Sequence, residues 1–132
     1  MMAEFVLWAE KIGPEVDAVK ELLSKELSDD PESLIHDLKI AEAHNARIGS
    51  MLAEAGSFLK RANLFHLPGR DGKTEMERKA MVESEVAPIQ AVKDTLDKLS
   101  DAIKQRLILG ESCLSYYRQT HDRTIQAERR VW

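Results

Sequence analysis

Few residues in this sequence are of types that carry catalysis or hold a metal, and they are scattered. The histidines are His36, His44, His66 and His121, and only His36 and His44 share a predicted helix, eight residues apart. Ligands on one helix must sit a turn apart to close on a metal, so a site here would need ligands converging from other helices. Neither Glu-x-x-His nor His-Glu-x-x-His occurs, and there is no glycine-rich phosphate loop, EF-hand loop or Gly-x-Ser-x-Gly elbow. Cys113 is the single cysteine and lies beside Leu114, where it reads as a small core hydrophobe with no base close in sequence to activate it. Asp94, Asp97 and Asp101 line one side of the third predicted helix with Lys98 and Lys104 nearby, the pattern of a solvated charged face. The expectation is therefore a protein that is not an enzyme, with no cofactor and no metal.

The constellation with binding character is Tyr116, Tyr117 and Arg118 followed by His121, Arg123, Arg129, Arg130 and Trp132. Arginines beside aromatic rings can stack on bases or anchor a protein interface. The same residues also read as the end of a core stripe at Tyr117 followed by a solubilising charged terminus. Residues 104–132 carry six basic and three acidic side chains, +3, on a chain whose net charge is −4, so the preceding part carries −7. A basic end on an acidic body suits a partner-binding tail, and it suits equally a helix C-terminus whose dipole favours cations.

Composition bounds the elements that must position these residues. The 132 residues fit one domain, with 43% hydrophobic and 32% charged residues but only 5% aromatic, 6 Gly and 4 Pro. A core of Leu, Ile, Val, Ala and Met suits helix-on-helix packing better than a sandwich of sheets. No apolar stretch approaches the roughly 20 residues that span a bilayer, and the acidic start lacks the basic region of a signal peptide. A lone cysteine and no leader point to a reducing cytoplasm.

Three helices follow from the spacing. Phe5, Trp8, Ile12, Val16, Val19, Leu23 and Leu27 recur every three or four residues, giving a helix over about 3–28, with Gly13-Pro14 as a kink or a handover to a second helix. Ser28-Asp29-Asp30-Pro31 stops it and starts the next, Asp30 as cap and Pro31 at the first helical position. Leu34, Leu38, Ala41, Asn45, Ile48, Leu52, Ala55 and Leu59 then hold heptad spacing through a helix over 31–63, flanked by a second stripe of Met51, Phe58, Ala62 and Phe65. Two stripes require two neighbours. Asn45 within the seam is a candidate for setting register and partner number, or else it lies at the solvent edge. Pro68-Gly69 and Asp71-Gly72 reverse the chain, and Thr74-Glu75-Met76-Glu77 is a capping box that opens a third helix over 75–118. Pro88 bends that helix near Ser84 and Glu85 without ending it, and Gly110 is a weak point.

The predicted fold is all-α: an elongated antiparallel three-helix bundle or coiled-coil hairpin over 1–118, with a kinked first helix and a frayed basic tail over 119–132. A third helix that outruns its partners leaves a surplus for a second chain to cover. In layout the chain resembles short coiled-coil accessory proteins of bacteria and their phages, a likeness that transfers no residue. The functional expectation is a helical interaction or assembly protein that forms a homo-oligomer, most simply a dimer, and binds another protein. The alternative is a regulator that binds nucleic acid or a nucleotide through its basic end. No membrane contact is expected.

Overall fold

In the computed structural model, which describes residues 2–65 and 74–131 apart from the side chains of Phe65, Arg130 and Val131, three helices follow one another: α1 (Met2–Ser24), α2 (Pro31–Phe65) and α3 (Glu75–Val131). The glycine- and proline-containing reversal at 68–72 lies outside the described residues.

The helix starts form as their local chemistry dictates. Asp30 caps α2, its Oδ2 accepting from the Ser33 amide at 3.1 Å and the Ser33 hydroxyl at 2.9 Å. Pro31, which has no amide proton to satisfy, takes the first helical position. At α3 the Glu77 amide donates to Thr74 Oγ1 at 3.2 Å and the Thr74 amide to Glu77 Oε2 at 3.4 Å, a reciprocal box.

The helix ends differ from the spacing-based boundaries. α1 stops at Ser24 rather than 28: the Lys25 amide bonds back to the Leu22 carbonyl at 3.2 Å, and the Ser24 hydroxyl to the Glu21 carbonyl at 2.6 Å. Arg106 Nη1 of α3 then donates to the Lys25 carbonyl at 2.7 Å, satisfying an acceptor that the ended helix leaves unpaired. α1 passes through Pro14 as one helix, not two. Buried Ile12 and Val19 on either side hold both segments to the same neighbours, which offsets the backbone bond that proline removes.

The largest correction concerns the tail. In place of fraying over 119–132, α3 continues as helix to Val131. Extending a packed helix needs no new nucleation, and 118–131 contains no Gly or Pro. Thr120 and Thr124 turn their hydroxyls onto the Tyr116 and Thr120 carbonyls at 2.9 and 3.0 Å, using no outside partner.

The helices pack up, down and up around a layered core. Phe5, Phe58, Ala62 and Ile89 form one layer; Ile12, Met51, Ala55 and Leu96 the next; Val19, Ile48, Leu99 and Ile103 the third. Numbers rise along α1 and α3 as they fall along α2, so α2 is antiparallel to both. In the C-terminal half of α2 both apolar stripes are used. Met51 and Phe58 are buried, while Leu52 and Leu59 are half-buried against the same layers, because α1 and α3 approach from different sides. The side of α1 facing α2 is tied by polar contacts in matching register: Arg61 to Glu4 at 3.1 Å, the Trp8 indole to Glu54, and Arg47 to Glu15 through contacts of 3.0, 3.2 and 3.0 Å.

The helices are unequal, with 23, 35 and 57 residues. At about 1.5 Å per residue they span about 35, 52 and 86 Å. α1 ends beside Arg106, and α2 and α3 continue as a pair, with Leu38 against Gly110 and Pro31 near Tyr117 and Arg118. Past His121, which still lines a groove with Asp30 and Pro31, α3 continues beyond the start of α2 to Val131.

Candidate functional site

Tyr116 and Tyr117 are neighbours in sequence, so the helix turns them about 100° apart. Tyr117 points toward the start of α2 and is half-buried, and Tyr116 points outward, 65% exposed. Their rings meet edge to face with centroids 6.1 Å apart. Burial pushes the Tyr117 phenol above its ordinary pKa, and the Asp29 carboxylate, Cys113 and Tyr116 add to that shift.

Tyr117, Arg118 and His121 line one side of an open groove of about 440 Å³ at the α2 N-terminus, opposite Asp30, Pro31 and Glu32. The groove offers little to a ligand, since Asp30 is committed to the helix cap and acid faces base across it. Arg118, His121, Arg123 and Arg129 are all exposed. At 100° per residue Arg118, His121 and Arg129 fall within about 80° of one another while Arg123 stands on another side, and Asp122 and Glu128 lie on the same side as the first three. The side chain of Arg130 and all of Trp132 lie outside the described residues. The structure thus brings Tyr116, Tyr117, Arg118 and His121 to one end of the α2–α3 pair and strings Arg123 and Arg129 along the extension.

Asn45 is half-buried between fully buried Ala41 and Ile48, so it lies in the heptad stripe at the margin of the core. Cys113 is half-buried. His36 is exposed and His44 half-buried, and among the described residues no three His, Cys, Asp or Glu side chains converge as a metal site would require. Among them too, no helix is long and apolar enough to cross a membrane.

The outer face of α3 carries a surface that the stripe-based reading passed over. Ile108 and Leu109 are 63% and 59% exposed, and with Tyr116 they form an apolar cluster turned away from α2. The run Leu107-Ile108-Leu109 is the signal that would have found it. Three consecutive apolar residues on a helix span about 200°, so they cannot all face one neighbour. Leu107 packs into the core and the other two are left outside.

Compared with known proteins, the chain matches no family model, no curated protein and no solved structure.

Proposed function

We propose that this chain is a non-enzymatic helical assembly protein that self-associates and binds another macromolecule through the outer face and extension of α3. The observation that carries this reading is the exposed cluster of Ile108, Leu109 and Tyr116 on a helix that continues past its own bundle. Apolar and aromatic side chains grouped on one face characterise contact surfaces, and the charged remainder of the protein keeps the free chain dispersed. A reducing cytoplasm suits a protein with one cysteine.

Light scattering on the full chain across a wide concentration range tests the proposal. A mass that rises to twice that of the chain is the expected result, and a monomeric mass throughout would sink it.

Nucleic-acid or nucleotide binding through the basic end is the second reading, favoured by the exposure of Arg118, His121, Arg123 and Arg129 beside Tyr116. Asp122 and Glu128 on the side shared by Arg118, His121 and Arg129 support it less than an uninterrupted basic face would. Binding that weakens steeply with salt is its signature. No retention on single- or double-stranded DNA or RNA, or on nucleotides, at low salt removes it.

A further inference from the structure

One lengthwise stripe of α3 faces away from Ile103, Gly110 and Leu114. At 100° per residue, Asp94, Asp101, Ile108, Ser112, Tyr116 and Arg123 fall within about 80° of one another on it. All six are exposed, and among the described residues neither Asp101 nor Arg123 is held in an ion pair. The stripe is close to a chemical palindrome about Ser112. Ile108 and Tyr116 stand four residues to either side, and Asp101 and Arg123 eleven residues to either side with opposite charges. Its N-terminal part is acidic, with Asp94, Asp97 and Asp101 against Lys98, and its C-terminal part has Arg123 among neutral Gln119, Gln126 and Ala127.

We infer that a second copy of this chain covers this stripe, the two α3 helices lying antiparallel about a two-fold axis at Ser112. The inference rests on the self-association proposed above and specifies its geometry. A two-fold axis presents the same patch from both copies, so a surface that pairs with itself must be self-complementary. Here Ile108 meets the partner's Tyr116, and Asp101 meets the partner's Arg123, each contact occurring twice. Parallel pairing would set aspartate on aspartate and arginine on arginine. Ser112, the smallest residue of the stripe, lets the backbones approach where the axis passes.

The same arrangement accounts for the length of α3. Among the described side chains none of residues 119–131 joins a core layer, His121 lining only the open groove at the α2 start, and an isolated helix of that length is marginal in water. With the axis at Ser112 they lie along residues 93–105 of the second copy, whose outer face the bundle leaves open.

Cysteine placement tests the axis, with Cys113→Ser as background. Ser112→Cys brings two thiols together at the axis and should give a covalent dimer under mild oxidation. Gln126→Cys places its two copies about 40 Å apart and should not cross-link. Asp101→Arg and Arg123→Asp should each weaken the dimer by about tenfold, and the two together should restore it. Cross-linking at 126, or none at 112 in a chain of dimeric mass, overturns this geometry and leaves self-association standing. So does failure of the paired charge swap to restore the dimer. A monomeric mass overturns both. Every substituted position but Cys113 is exposed, and unchanged far-ultraviolet circular dichroism verifies that each variant folds.

Discussion

At Gly110 α3 lies tight against α2: a Cβ there would lie 2.3 Å from Leu38 Cδ2 and 3.2 Å from its Cγ. A residue that looks like a helix weak point is instead the hollow that receives a leucine. Alanine at 110 gains about 1 kcal/mol of helix propensity but forces the buried Leu38 side chain out of its place, an overpacking cost of about 1–3 kcal/mol. We expect Gly110→Ala to lower stability by about 1 kcal/mol in urea denaturation. Leu38→Ala should cost less in that background than alone, because it removes the clash. Glu15 makes a second prediction at this scale. Its hydrogen bonds to Arg47 hold the carboxyl below its ordinary pKa, and the nearby charges of Arg47, Lys11 and His44 act in the same direction. A depressed folded pKa contributes stability that is fully present above the ordinary carboxylate value and is lost as pH falls through the folded one. The advantage of the native chain over Glu15→Gln should therefore fade on acidification below the ordinary carboxylate range, as denaturation at a series of pH values would reveal.

At the scale of the helices, the ends differ in what secures them. The starts of α2 and α3 are capped by residues adjacent in sequence, Asp30 and Thr74 with Glu77. The end of α1 depends on Arg106, far away in the chain. Asp30→Ala should cost about 1 kcal/mol, with asparagine retaining most of the stability because its side-chain oxygen accepts the same bond. Arg106→Ala should cost about 1 kcal/mol as well, by leaving a carbonyl without its charged donor. The two losses should be independent in a double variant. Asp30 holds the start of α2 and Arg106 the end of α1, with no shared partner.

For the whole molecule, the extension of α3 is separable from the bundle. The three core layers lie between Phe5 and Ile103, and none includes a residue beyond Leu107. A chain ending at Arg118 should keep a cooperative transition and lose helical signal only in proportion to the residues removed. If the extension lies along a second copy, the full chain's thermal midpoint rises with protein concentration, and that of the shortened chain, which keeps only the contacts around Ser112, rises less. Calorimetry on both over the same concentrations distinguishes the outcomes.

The sequence by itself determined that this protein is helical, where its second and third helices begin, and which seam of α2 packs. These features are local: a cap acts within one turn, and a heptad stripe is written into consecutive residues. Tertiary structure alone decided which large side chains of the two adjacent stripes are buried in the C-terminal half of α2. Met51 and Phe58 rather than Leu52 and Leu59 reach the centre because α1 joins there, and no spacing within α2 records where α1 stands. It decided equally that Gly110 receives Leu38, and that Arg106 closes α1. The Tyr-Arg cluster was legible as residues, but its division into an inward Tyr117 and an outward Tyr116 was not. The outer face of α3 was overlooked because apolar periodicity identifies the side of a helix that packs, whereas the unpacked side is known only once every neighbour is in place.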